Sequence, residues 1–335
     1  MLTQYDSLPA GLLDLPAGRL HELLPGPSLI HLPGRRSEPL FVSVLLHGNE
    51  DTGWQAAQSV LEKFQSAELP RAMSLFIGNL EAARAGLRRL DHQPDYNRVW
   101  PGGEATQNAE GEVMRQVVDE MRRRGVFASI DIHNNTGLNP HYACVNRLDP
   151  HFLHLATLFS RIVVYFIRPQ GVQSAAFAEF CPSVTVECGK PGTPGSVEHA
   201  AAYIEACLHL SEFPAHPVAP HDIDLFHTIA TVKVPDEVSF DFGSADADIR
   251  FVPELDHYNF RELSRGELLG RLAAGSQARL NVLDERGEDV GARLFDYRAG
   301  EIALRQALMP AMLTRDERVI RQDCLCYLME RISLP

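Results

Sequence analysis

The stretch LFVSVLLHGNE, residues 40–50, sets a histidine and a glutamate three apart directly after an apolar run. A neutral imidazole and a carboxylate are both good zinc ligands, and Gly48 permits the tight turn that would bring His47 and Glu50 to one ion. The spacing alone is weak. His209-Leu-Ser-Glu212 repeats it on a helix expected at the surface, where it reads as a solvated pair. A catalytic zinc uses three protein ligands and leaves a fourth position for water. His133 in DIHNNTG (131–137) is the candidate third ligand, again at the end of an apolar strand. Asp131, two residues earlier on the same strand face, is placed to orient a ligating imidazole. Two alternatives stand beside this: His133 as the cap of a turn, and His141, deeper in the loop, as the third ligand.

Zinc-assisted hydrolysis also needs a base that takes the proton of the attacking water and returns it to the leaving group. Glu187, which closes the apolar run SVTVE ahead of a Gly/Pro turn, is the candidate, with an ordinary helix cap as the plain alternative. Positive charge comes from GNLEAARAGLRRLDHQPDYNRVWPG (78–102), where Arg84, Arg88, Arg89 and Arg98 crowd one loop. Guanidinium forks suit a substrate carboxylate or an oxyanion, although any single loop arginine is more often solvated. The block DYNRVWPGG sets Asn97 and Arg98 between two aromatics, a less ordinary setting.

The elements that must position these residues follow from periodicity. Residues 40–46, 73–77, 126–132, 161–167 and 183–187 read as strands; 53–64, 110–124, 149–160 and 196–211 read as helices. Alternation of the two predicts an α/β fold, a mixed and mainly parallel sheet with helices on both faces. Sites in such sheets form in the crevice beyond the C-terminal strand ends, where His47, His133 and Glu187 all fall. The long polar loop at 79–104 is read as functional, with room for a short helix. FPAHPVAPHD (213–222) reads as a linker between a catalytic domain (1–212) and a smaller C-terminal β-rich domain (223–335).

Composition limits the function classes. The 335 residues carry a formal charge of −13, which argues against nucleic-acid or anionic-membrane partners. Six dispersed cysteines without a CxxC pair read as buried reduced thiols of a cytoplasmic protein. The N-terminus has no basic region ahead of an apolar core, so no signal peptide is expected, and no apolar run reaches membrane-spanning length. Homo-oligomerisation is left open.

In order, HGNE, GN-x2-A-x3-G-x-R, D-x-N-R-x-W, D-x-H and E-x-G-K-x3-P-G form a set that resembles the succinylglutamate desuccinylase/aspartoacylase family. That family lies within the wider zinc carboxypeptidase-like, M14-type group. The resemblance covers roughly residues 40–210. It implies one Zn2+ per chain, a smaller C-terminal β domain near the site entrance, and hydrolysis of a small-molecule N-acyl amino acid. Carried over by match, it implies His47, Glu50 and His133 as metal ligands, Glu187 as the group activating water, and Arg88 as the oxyanion donor. Asn97 and Arg98 would hold the substrate carboxylate. Two departures bear on specificity. Phe177 stands where the family places a further carboxylate-binding arginine, with Arg168 as a stand-in, and the loop after His133 reads NNTGLNPHY rather than a basic stretch. Weak activity on dianionic substrates follows. Other readings are a metallocarboxypeptidase acting on short peptides and a non-catalytic zinc-binding or sensing module.

Overall fold

The computed structural model describes residues 1–104, 107–243 and 246–334. Its chain divides into two compact units: one of Met1–Asn134, His141–Leu225 and Ser333–Pro335, the other of Asn135–Pro140 and Phe226–Ile332.

The first unit is built on eight strands: β1 (Thr3–Tyr5), β2 (Ser28–Leu32), β3 (Leu40–Val44), β4 (Met73–Ile77), β5 (Ala128–His133), β6 (Tyr142–Val145), β7 (Ile162–Tyr165) and β8 (Ser183–Glu187). They lie in the order β1-β2-β4-β3-β5-β8-β6-β7. The central four are parallel, while β2 runs antiparallel to β4 and β6 antiparallel to β8. Every residue of β3, β4, β5 and β8 is buried, as strands covered on both faces must be.

Helix α1 (Thr52–Lys63) lies on one face, where Gly53 sits so close to Val44 and Ile132 that an added Cβ would be 3.0 Å from each. After it in chain order come the short helix α2 (Leu80–Ala85), α3 (Ala109–Arg124), α4 (Pro150–Thr157), the short helix α5 (Gln173–Phe177) and α6 (Ser196–His209). Side chains of α3 join Phe41, Phe76, Trp100 and Phe177 in an aromatic cluster on the face opposite α1. Alternation along β5 puts Ser129, Asp131 and His133 on that same face. The cluster is therefore the floor beneath the strand ends that carry the site.

The second unit holds β9 (Asp224–Lys233) from Phe226 onward, β10 (Phe240–Phe242), β11 (Ile249–Phe251), β12 (Leu268–Leu272), β13 (Asn281–Asp284), β14 (Phe295–Asp296), β15 (Glu301–Leu304), β16 (Met309–Ala311) and β17 (Cys326–Arg331). Strands β10-β11-β12-β15-β14 form a separate five-stranded sheet, and β9 pairs with β13 and β17. The fold class expected from periodicity is the one observed. The short strands β2 and β6 and helix α5 carried no periodic signal long enough to read.

Among the described residues, no helix is long and apolar enough to cross a membrane.

Candidate metal centre

Backbone geometry at the end of β3 decides where His47 goes. Leu45 adopts φ 56°, a left-handed conformation that costs a leucine about 1–2 kcal/mol. Its carbonyl accepts from Asn79 N at 2.7 Å, and Val44 O accepts from Gly78 N at 3.0 Å, so the exits of β3 and β4 are tied together. Gly48 is needed for close approach rather than for a special dihedral. A Cβ there would lie 2.1 Å from Ala82 C and Ala83 N, inside the backbone of α2.

His47, Glu50 and His133 converge, with one ligand atom from each lying within 4.8 Å of the others. Glu50 joins the two rings: Oε1 is 2.8 Å from His47 Nδ1, and Oε2 is 2.7 Å from His133 Nδ1. The far side of each ring meets its own aspartate. His47 Nε2 is 3.0 Å from Asp95 Oδ1, and His133 Nε2 is 2.8 Å from Asp131 Oδ2. A ring held this way presents Nδ1 inward and donates Nε2–H outward, the arrangement that fixes a metal-binding imidazole. All three inner residues are at most 5% exposed.

Charge bears on the same point. Glu50, Asp95 and Asp131 face the Arg88 guanidinium and two imidazoles. With both imidazoles neutral, these carboxylates outnumber the guanidinium they face, and a cation suits that excess of negative charge. Without one the rings must hold protons. Burial opposes a charge on His133, yet Asp131 and Glu50 outweigh it and raise its pKa well above the usual histidine value. Burial and Arg88 oppose a charge on His47, and Glu50 and Asp95 still raise it. Burial works against ionised Asp95 too, but His47, Arg88 and Arg98 hold its carboxyl well below the usual range. The donor set of two nitrogens and a carboxylate fits zinc.

The supporting residues include several that the sequence reading passed over. Asp95 bridges His47 and Arg88, accepting Arg88 Nη2 at 3.0 Å. Asn134 donates its backbone N–H to Glu50 Oε2 at 3.2 Å, accepts the first amide of α1 from Thr52 at 3.2 Å, and donates Nδ2 to Gly189 O at 2.9 Å. It joins the exits of β3, β5 and β8. Gln93 is the hub of the long loop, bonded by Asn79 and Arg89 and bonding Glu81. The motif D-x-N-R-x-W and the stretch DIHNNTG contained Asp95 and Asn134, but nothing in their spacing showed three-way contacts.

The chain segment 38–210 matches the model of the succinylglutamate desuccinylase/aspartoacylase catalytic domain. The chain belongs to this family. Among proteins of curated function, none matches the sequence. Solved structures with this fold include the succinylglutamate desuccinylase from Chromobacterium violaceum, 16% identical, covering 90% of this chain and 87% of that one with a TM-score of 0.57. The succinylglutamate desuccinylase/aspartoacylase from Rhodobacter sphaeroides is 13% identical over 90% and 88% of the two chains, TM-score 0.60. Murine aminoacylase 3 is 16% identical over 90% and 98%, TM-score 0.54. At these identities the likeness is one of fold.

Within this family member, the remaining candidates fall as follows. Glu187 is buried and is the register partner of His133 on the adjacent parallel strand. Arg88 sits with Nη1 3.5 Å from Glu50 Oε1. Asn97 is committed to the framework: Nδ2 lies 3.4 Å from Asp131 Oδ2 and 3.2 Å from His133 Nε2, and Oδ1 accepts Gln173 N at 2.8 Å. Arg98 donates to the Asn97 carbonyl. Arg84 is exposed, and Arg89 serves the loop backbone. His141 is drawn away, 3.1 Å from Ser196 Oγ and stacked on His199 at 4.8 Å. The decoy pair His209 and Glu212 is exposed. Phe177 is fully buried and stacks on Phe41 with ring centroids 4.3 Å apart. Arg168 is half-buried ahead of a cis peptide bond to Pro169.

Proposed function

We propose that the protein is a zinc-dependent amidohydrolase that deacylates a small N-acyl amino acid, with one Zn2+ per chain held by His47, Glu50 and His133. The observation that carries this reading is the pair of imidazoles turned inward on Glu50 and backed by Asp95 and Asp131. Zinc bound there would supply a Lewis acid and a water whose pKa is lowered to about 7.

The chain's own groups do the rest. Glu187, beside His133, removes the proton of the attacking water and returns it to the leaving amine. Arg88 stabilises the negative charge that develops on the carbonyl oxygen. It is pre-oriented by Asp95, so little reorganisation is needed as that charge appears. Arg98 binds the substrate carboxylate, and Asn97 supports it through its backbone carbonyl while its amide steadies the His133–Asp131 pair. Because Phe177 belongs to the aromatic floor, it offers no second carboxylate site, which favours singly charged acyl amino acids. Six cysteines, none in a disulfide, accord with a cytoplasmic setting.

The test is metal analysis of the purified protein, followed by a hydrolysis panel. N-acetyl-aspartate and N-succinyl-glutamate are set against neutral N-acyl amino acids and short peptides. Stoichiometric zinc with turnover of neutral N-acyl amino acids is expected. Preferential cleavage of peptides would sink the deacylase reading, and strong activity on the multiply charged N-acetyl-aspartate or N-succinyl-glutamate would sink the specificity argument.

A further inference from the structure

The loop that leaves β5 immediately after the ligand His133 does not belong to the body that contains the ligands. Asn135–Pro140 is part of the second unit, whereas Asn134 and the chain before it are part of the first. Within the second unit this loop is held by a compact set of contacts. Asn139 Oδ1 accepts Met312 N at 2.9 Å, and Asn139 Nδ2 donates to Asn135 Oδ1 at 3.0 Å. Asn259, itself buried, grips the next residue with both ends of its amide: Nδ2 donates to Leu313 O at 2.8 Å and Oδ1 accepts Leu313 N at 2.8 Å. A third bond, Asn259 Nδ2 to Asp256 O at 3.0 Å, fixes that amide in turn. Gly137 is flush against the same strip, where a Cβ would fall 2.0 Å from Leu313 O and 2.9 Å from Asn259 Nδ2.

We infer that Asn139 and Asn259 are positioning residues for the metal centre. The inference rests on the ligand set assigned above. Asn134 must keep one backbone conformation to bond Glu50, Thr52 and Gly189 together. It is followed directly by a polar segment, NTGLNP, with no regular structure of its own to fix it. Ordering such a segment costs conformational entropy at every residue, and the second unit supplies the contacts that offset it. The fixed span Asn135–Asn139 then delivers its order through the peptide bond to Asn134, and from there to Glu50 and His133. Groups that orient a metal ligand from behind commonly alter affinity 10- to 100-fold when removed.

The experiment uses the full chain with Asn259→Ala, Asn139→Ala and Asn139→Asp. The aspartate keeps the acceptor for Met312 N and removes the donor to Asn135, so it separates the two arms of that side chain. Two quantities are read: hydrogen exchange of the segment containing the Asn134 amide in metal-free protein, and zinc affinity by competition with a chelator. Exchange at Asn134 at least tenfold faster, together with zinc bound about tenfold more weakly, is the expected result. If a variant denatures at lower urea but keeps wild-type exchange at Asn134 and wild-type zinc affinity, the asparagines serve only the second unit and the inference is overturned. Should Asn259→Ala not fold, Asn139→Ala, which removes the acceptor for Met312 N, decides on the same readouts. A wild-type protein that binds no zinc would defeat the ligand assignment, while the metal-free exchange measurement would still judge the clasp.

Discussion

His133 and Glu187 are register partners on neighbouring parallel strands, and Cys188 N donates to His133 O at 2.9 Å just beyond them. Adjacent strands lie about 4.8 Å apart and partners in register share a face, so the two side chains stand side by side at the crevice. Burial first, and then the Glu187 charge, raises the Cys144 thiol well above its usual pKa, so the Glu187 carboxylate is felt on the β6 side as well.

Glu187→Gln preserves shape and removes the proposed base. Loss of a positioned general acid–base group lowers rate by about 10²- to 10⁴-fold. We expect kcat to fall within that range while zinc content stays stoichiometric, read by turnover assays alongside metal analysis. Substantial residual activity would assign proton transfer to another group.

Asp95 and Arg88 form one ion pair but act in different places, and their variants should separate. Asp95→Ala frees the outer nitrogen of His47 and is expected to weaken zinc binding about 10- to 100-fold. Arg88→Ala removes the proposed oxyanion donor and is expected to cost about 3 kcal/mol in the barrier, with a smaller effect on zinc retention. Chelator competition and kcat measured on both variants decide this. Equal losses of zinc affinity in the two would show that Arg88 acts only by holding Asp95.

The convergence of His47, Glu50 and His133 was legible because the first two follow one buried strand and the third closes another, and strand ends in a parallel sheet meet at one crevice. Spacing inside HGNE could not distinguish it from the surface pair at His209; the company of His133 and Glu187 did. The outer contacts were less legible. Asp95 reaches His47 across 48 positions of sequence, through a loop whose path is set by Gln93, Asn79 and a six-residue helix. Local periodicity carries no record of such a path. Phe177 shows another limit: its place ten residues before Glu187 marked a missing arginine, but only the structure shows the ring packed with Phe41, Phe76 and Trp100 in the core. Asn97 was read from the motif as a substrate contact, and its amide meets Asp131 and Gln173 in the framework.

Gly48 gives a prediction that sequence alone would have argued on the wrong ground. Its carbon is pressed against the Ala82–Ala83 peptide of α2, and Gly48 N donates to Arg88 O at 3.1 Å. Gly48→Ala must push α2 away from the His47 turn. Overpacking of this kind costs about 1–3 kcal/mol. A lower urea midpoint accompanied by reduced zinc occupancy is expected. A midpoint and occupancy equal to wild type would mean that α2 shifts freely and does not brace the turn.

A last prediction concerns stability far from the metal centre. His31 pairs with Ser74 across β2 and β4, its Nδ1 2.9 Å from Ser74 Oγ, and lies at the end of the sheet where β4 begins, away from the strand ends that carry the site. Burial first, and then the Arg124 and Arg123 charges against a weaker pull from Asp6, bring its pKa down to about 4. Glu120 stands 3.9 Å from Nε2, but Arg123 and Arg124 already engage that carboxylate. An unfolded histidine titrates near about 6.5. Below that pH the unfolded chain takes up a proton that the folded chain refuses until about 4. The neutral ring therefore contributes stability that is complete above the unfolded value and lost as pH falls through the folded one. His31→Gln keeps a polar partner for Ser74 and cannot titrate. Urea unfolding across this window should show a shallower pH dependence in the variant, by up to about one proton. Parallel profiles for variant and wild type would mean that the ring gains its proton in the folded state as readily as in the unfolded chain.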